Sequence, residues 1–145
     1  GAASAGGVGI VRLSGPAGEA AVMKLALSQL IAAETAAFGL SLGLVRRGGV
    51  EVDTFMAMLR KSALYAPTFE KKLPRLAARN YAQPNFSTRH LLKDVELTLA
   101  AAETAQLSPG GLPGVRSLLL DTIAMGLGDV DYSALYERVD PATRG

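Results

Sequence analysis

The stretch GPAGEAAVMKLALSQLIAAETAAFGLSLGLVRRGG, residues 15–49, decides the fold. Gly15-Pro16 opens it, and Glu19 in the first turn suits the positive end of a helix. From Ala17 to Arg46 the residues read as one helix, with Gly39 and Gly43 as the places where it would bend or divide. Arg46 and Arg47 complement the negative C-terminal end, and Gly48-Gly49 supplies the stop. Thirty helical residues run roughly 45 Å, longer than the ~30 Å width of a small domain. A helix so long and so sparsely charged must be covered on most sides. One small chain can hardly do this, so the stretch predicts a partner domain, a second copy, or both.

The same stretch holds the one candidate membrane span, residues 25–45, which is long enough at about 20 residues. It carries Glu34 at its centre, with Ser28, Gln29 and Thr35. A central acid costs on the order of 2.5–3.5 kcal/mol on the insertion scale for Asp. The expectation is therefore a buried helix and no membrane.

Composition narrows the class. Of 145 residues 49% are apolar, 19% are charged and 6% are aromatic, with no Trp. A disordered tail is excluded, and a chain near this length buries roughly 68–70% of its unfolded surface on folding. The absence of Cys removes disulfides, thiol nucleophiles and Cys-based zinc together, and fits a cytoplasmic location. A single His gives no basis for a His-based metal site, so no metal is expected. A net charge of +2 does not by itself predict nucleic-acid binding.

Outward from the long helix, residues 1–14 read as a flexible lead-in ending in a short β-like run, VGIVRL, at 8–13. That run and Gly15-Pro-Ala-Gly18 mimic the strand, glycine loop and helix of a dinucleotide fold. The full G-x-G-x-x-G is missing, however, and no ribose-binding acid follows. Four more helices are expected. Residues 52–62 place Phe55, Met58 and Leu59 on one face. Residues 69–80 follow a Thr68 cap, turn Leu73 and Leu76 inward, and kink or break at Pro74. Residues 86–105 carry Leu91, Leu92, Val95, Leu99 and Ala102. Residues 115–127 follow the turn cluster SPGGLPG at 108–114. A short helix over 133–138 closes the chain, whose last residues should fray. There is no strand pair, no fixed-period repeat and no heptad run. The class is all-α, with one helical domain over 15–145.

Three sets of residues invite a chemical reading. Lys24 interrupts an apolar face one turn before Ser28. It is either a partly buried lysine able to give a proton to a substrate oxygen, or a lysine snorkelling at a helix seam. In NFSTRHLLKD, residues 85–94, Arg89 shares a face with Lys93 and His90 with Asp94, as a functional cluster or as a capped, salt-bridged helix. Finally, Arg60, Lys61, Lys71, Lys72, Arg75 and Arg79 cluster, and Lys71, Arg75 and Arg79 form a stripe. The stripe is either a solvated face or a phosphate or nucleic-acid contact.

Taken in order, GPAGEAAVMKL at 15–25, PNFSTRHLLKDVEL at 84–97 and GLGDVDYSAL at 126–135 resemble the C-terminal helical domain of the β-hydroxyacid dehydrogenases. That family includes 3-hydroxyisobutyrate dehydrogenase and tartronate semialdehyde reductase and is related to 6-phosphogluconate dehydrogenase. The resemblance implies a helical bundle of the 6-phosphogluconate dehydrogenase C-terminal type, led by one long helix at a subunit interface. Gly39 and Gly43 would let backbones approach closely there. It implies that Lys24 is the acid/base lysine at the substrate oxygen while NAD or NADP exchanges hydride at the same carbon. Lys93 would reach the cofactor near its nicotinamide end, Asp94 would orient the site, and Phe86 would line its wall. The family usually has Asn where this chain has Ser28, which keeps a hydroxyl but loses the amide.

The implied substrate is a small 3-hydroxy acid or its semialdehyde. The implied partners are an N-terminal nucleotide-binding domain and further copies of the chain, as a dimer or tetramer. That nucleotide-binding domain does not appear in the sequence, so the chain alone is expected not to turn over. A non-catalytic oligomerisation or scaffold module derived from the family is the alternative, and no nucleic-acid partner is expected.

Overall fold

The computed structural model describes residues 15–142, so the expected lead-in and β-like run fall outside it, as do residues 143–145. Helix α1 spans Gly15–Arg47, α2 Val52–Arg60, α3 Pro67–Ala78, α4 Thr88–Thr104, α5 Leu112–Ala124 and α6 Tyr136–Val139, with a 3₁₀ turn at Tyr132–Leu135 before α6. Among the described residues the only β pairing is an isolated antiparallel bridge between Ser87 and Asp131. The described residues are all-helical, as the sequence predicts.

Helix α1 is unbroken for 33 residues. Gly39 and Gly43 neither bend nor divide it, and they serve packing within this chain. A Cβ at Gly39 would stand 3.3 Å from the Tyr136 ring, and one at Gly43 would stand 3.4 Å from the Asp140 side chain. The missing side chains are what let the C-terminal segment lie close against α1. The helix ends in a Schellman motif. The amide of Val50 donates to the Val45 carbonyl at 3.0 Å and that of Gly49 to the Arg46 carbonyl at 3.2 Å. Gly49 takes the left-handed conformation this needs, at φ +75°.

Two apolar cores lie along α1. Toward its N-terminal half, Ala32 joins Leu91, Leu92 and Val95 of α4, Leu119 of α5, and Tyr132 and Leu135. Toward its C-terminal half, Phe38 and Leu42 join Met56, Leu76, Tyr81 and Tyr136. Phe38 stacks on Phe69 with ring centroids 4.7 Å apart. The opposite side of α1 is uncovered among the described residues. Met23, Leu27, Leu30, Leu40 and Leu44 all stand exposed. Met23, Ala26, Leu30, Ala33, Ala37, Leu40 and Leu44 succeed one another in steps of three and four. The sequence hides this stripe because apolar residues fill the other faces of α1 as well.

Local details differ from the sequence reading for identifiable reasons. Helix α2 buries Met56, with Val52, Phe55 and Leu59 beside it, and leaves Met58 72% exposed. Both arcs have helical spacing, and the aromatic cluster around Phe38 selects one. Helix α3 runs through Pro74 without a break. Pro74 lies on the exposed side, where the hydrogen bond it deletes costs least. Its N-cap is Ala66 with Pro67 in the first turn, and Thr68 makes no side-chain cap. Helix α4 starts at Thr88, after Ser87 accepts a hydrogen bond from the His90 amide, so Phe86 stays outside the helix. Helix α5 starts early because Leu112, Pro113 and Gly114 of the turn cluster form its first turn.

Leu42 is fully buried where α1 meets α2, α3 and α6. Replacing it by Ala should destabilise the domain by about 2–5 kcal/mol with an unchanged denaturant slope, as read by urea unfolding.

Candidate active site

Lys24, Ser28 and Ile31 project from α1 at successive turns, toward a cavity of about 330 Å³. Helix α3 supplies Thr68, Lys71 and Lys72 to its wall, the loop before α4 supplies Asn85 and Phe86, α4 supplies Asp94, and the 3₁₀ turn supplies Tyr132. A larger hollow of about 440 Å³ lies between α3 and the turn at 80–83. Its charged lining residue, Arg75, is spent on the carbonyls of Ala82 and Gln83, at 2.7 Å each. The chemistry therefore gathers in the smaller cavity.

Asp94 is the fixed point of that cavity. Its side chain is only 5% exposed. A buried carboxylate is retained where partners satisfy it. Ser28 Oγ donates to one oxygen, Oδ2, at 3.0 Å. Lys24 Nζ lies 3.7 Å from the other, Oδ1. The spacing Lys24–Ser28 puts both groups on one face of α1, and Asp94 meets that face where α4 crosses it. Lys24 itself is 67% exposed. Of the two readings of Lys24, the partly buried lysine is therefore corrected. The lysine stands at the rim, tethered by one carboxylate, with its ammonium open to whatever closes on the cavity.

Four of the five site residues implied by the resemblance thus come together: Lys24, Ser28, Phe86 and Asp94. Lys93 does not line the cavity and stands exposed on the neighbouring face of α4. His90 is exposed beside Ser87, its Nδ1 3.0 Å from the Ser87 hydroxyl, and it stacks on Phe86 rather than joining Asp94.

The basic cluster of α3 is not simply a solvated face. Lys72 is buried, and its ammonium donates to both oxygens of Asp131, at 3.1 and 3.0 Å. It also lies 4.4 Å above the centre of the Tyr132 ring. Arg79 pairs with Glu137 and Asp140. Of the stripe only Lys71 stays free of an ion pair or side-chain hydrogen bond among the described residues.

Asp131 also accepts from the Asn85 amide at 3.2 Å and from the amide and hydroxyl of Ser133. The flanking backbone adds Asp131 N to the Tyr81 carbonyl at 2.8 Å and Tyr132 N to the Phe86 carbonyl at 2.9 Å. This one carboxylate therefore holds the loop that carries Asn85 and Phe86 into the cavity. Burial works to raise its pKa, but the hydrogen bonds from Ser133 and the Lys72 ammonium outweigh it and hold the carboxyl below its ordinary value. Burial pulls Lys72 down against the opposing pull of Asp131.

Residues 18–139 match the family model described as the NAD-binding region of NADP-dependent 3-hydroxyisobutyrate dehydrogenase. The chain belongs to that family. Glyoxylate/succinic semialdehyde reductase 1 of Arabidopsis thaliana is 30% identical over 125 residues, which cover 86% of this chain and 43% of that protein. Its chloroplastic relative, glyoxylate/succinic semialdehyde reductase 2, is 27% identical over 128 residues, 88% of this chain and 36% of that protein. The chain thus spans less than half the length of these curated relatives.

Among solved structures, a 3-hydroxyisobutyrate dehydrogenase of Mycobacterium tuberculosis with L-serine aligns over 84% of this chain and 44% of its own. Its TM-score is 0.75 at 16% identity. One from Salmonella typhimurium aligns over 81% and 41%, with a TM-score of 0.73 at 19% identity. These two likenesses establish the shared fold. The long helix and bundle described above are therefore the 3-hydroxyisobutyrate dehydrogenase family's helical architecture.

Asp131→Asn should cost about 3–5 kcal/mol at neutral pH, because it leaves the Lys72 ammonium buried without a counter-charge. The pH dependence follows from the sign of the shift. With the folded pKa below the unfolded one, the carboxylate's contribution is complete above about pH 4 and is lost as pH falls through the folded value. The variant should therefore lose less stability than the wild type between about pH 4 and pH 2, measured by urea unfolding at each pH.

Proposed function

We propose that this chain is the helical domain of an NAD(P)-dependent oxidoreductase that interconverts a small 3-hydroxy acid and its semialdehyde, with Lys24 as the general acid and base. The observation that carries the reading is the Lys24–Asp94–Ser28 arrangement at the rim of a cavity. A lysine ammonium there is anchored by one carboxylate and open on its other side.

The nicotinamide cofactor fits the donor set beside the cavity. Lys93 is exposed on α4 next to Asp94 and makes no ion pair among the described residues, so its ammonium is available to ribose or amide oxygens. When bound, NAD(P)H supplies a hydride to the carbonyl carbon. The chain's own residues do the rest. Lys24 Nζ hydrogen-bonds the carbonyl oxygen and gives it a proton as the carbon is reduced. In the reverse direction it takes the hydroxyl proton back. Asp94 holds the ammonium in place from one side. Phe86 and Ile31 keep water from the reacting carbon, and a nucleotide-binding domain would close the open side.

The exposed stripe on α1 supports assembly into a dimer or tetramer through a second copy of the same helix. This would cover the apolar face the chain leaves bare. Replacing Leu30 and Leu40 together by Glu should shift the protein to smaller species in sedimentation velocity. An unchanged assembly would exclude this face from the interface.

One observation favours a second reading, a helical assembly module without catalysis. Ser28 spends its hydroxyl on Asp94, where the related enzymes usually carry Asn. One assay separates the two. In the protein joined to its nucleotide-binding domain, NADH and NADPH oxidation is followed with malonate semialdehyde, the semialdehyde of 3-hydroxypropionate, and with glyoxylate and succinic semialdehyde beside it. Lys24→Met should lower kcat by about 10²–10⁴, with the helical fold retained in circular dichroism because Asp94 keeps its hydrogen bond from Ser28. Activity within a few-fold of wild type would overturn the role of Lys24, and a wild type inactive toward every aldehyde acid would leave the assembly module.

A further inference from the structure

The bond between Ser28 and Asp94 leaves Ser28 no proton for a ligand. A serine hydroxyl carries one proton, and Ser28 Oγ spends it on Asp94 Oδ2 at 3.0 Å. Both side chains are buried. While that bond holds, Ser28 offers the cavity only lone pairs, which cannot receive the oxygen of a carbonyl or a carboxylate. The other carboxylate oxygen, Oδ1, lies 3.7 Å from Lys24 Nζ, beyond the length of a full hydrogen bond. The Lys24 ammonium is therefore attracted without being captured. Lys72 shows the captured form in the same molecule. Its ammonium is enclosed and donates to both oxygens of Asp131, at 3.1 and 3.0 Å. A lysine held in that way has no open side toward a ligand.

We propose that Ser28 is a positioning residue for Lys24 and acts through Asp94. By filling Oδ2 and fixing the plane of the carboxylate, it leaves the ammonium at the rim with its outer side open. The inference rests on the acid/base role proposed for Lys24 and adds the residue that keeps that lysine poised. Without the hydroxyl, Oδ2 is a buried carboxylate oxygen that has lost its donor, which is costly. Lys24, one turn away on the same face of α1, is the cation already beside the carboxylate. It swings inward to satisfy both oxygens, and the substrate oxygen loses its proton source.

Steady-state kinetics with malonate semialdehyde, in the protein that carries the nucleotide-binding domain, provides the first test. Ser28→Ala should lower kcat about tenfold or more with KM within about threefold, the pattern of an interaction lost in the transition state. Ser28→Thr keeps the hydroxyl and should recover most of kcat. In an Asp94→Asn background, Ser28→Ala should change kcat by less than about twofold, because the neutral amide no longer draws the ammonium in. A rise in KM with kcat unchanged would make Ser28 a substrate contact and overturn the inference. A loss of kcat equal in both backgrounds, or no loss at all, would overturn it as well.

A second arm needs no turnover. In the 145-residue chain labelled with ¹⁵N-lysine, the Lys72 ammonium is the reference for a protected, doubly bonded lysine. The Lys24 ammonium should exchange fast with water in the wild type and give no ¹H–¹⁵N correlation. In Ser28→Ala it should gain one beside that of Lys72, and in Ser28→Thr it should lose it again. Equal behaviour of Lys24 in wild type and Ser28→Ala would overturn the positioning role whatever the kinetics show. Failure of the reaction is read separately, from Lys24→Met.

Discussion

Where α4 crosses α1, a buried carboxylate meets a serine hydroxyl and a lysine, and the site depends on that crossing. Asp94 cannot stay buried without partners, and its two oxygens are taken by Ser28 and Lys24. The hydrogen bond from Ser28 fixes the register of the two helices, and the weaker, longer contact to Lys24 leaves the ammonium free to move. The crossing works because both helices are rigid there. Helix α1 is packed on its inner side by Leu25, Ala32 and Thr35, and α4 by Leu91, Leu92 and Val95.

A second carboxylate plays the complementary part. Asp131 is fully buried and has its lone pairs filled by Lys72, Ser133 and the Asn85 amide, so it carries no spare capacity for chemistry. Its contribution is to hold the loop that places Asn85 and Phe86. The two acid–lysine pairs divide the labour through solvent exposure. Lys72 is enclosed and holds the scaffold, while Lys24 stands at the rim where a partner domain and a substrate can reach it. Burial follows the same division along α1, which faces its own chain on one side and presents bare apolar side chains on the other.

Much of this was legible in the sequence because the signals were local. The apolar run with Arg46-Arg47-Gly48-Gly49 at its end placed α1 within two residues at its start and one at its end. The resemblance of three ordered motifs pointed to the family and to four residues that do line the cavity. What was not legible depended on distance in the chain. Lys72 and Asp131 are 59 residues apart, and between Lys71 and Arg75 a lysine looks like part of a solvated face. Asp131 stood inside a quoted motif without a role, since nothing near it in sequence reveals an ion pair. Thr68 read as a helix cap, yet Pro67 had already set the first turn and left Thr68 to line the cavity. The inward arc of α2 and the exposed stripe on α1 were ambiguous for one reason. Where most positions are apolar, periodicity does not say which face the rest of the chain covers.

The central claim concerns the position of one atom. The most direct measurement is a crystal structure of the protein with its nucleotide-binding domain, a nicotinamide cofactor and a 3-hydroxy acid such as 3-hydroxypropionate. The account predicts Lys24 Nζ about 2.6–3.2 Å from the hydroxyl oxygen, with Asp94 still holding the ammonium from behind. A hydroxyl oxygen bound by some other donor, with Lys24 turned to solvent, would contradict it.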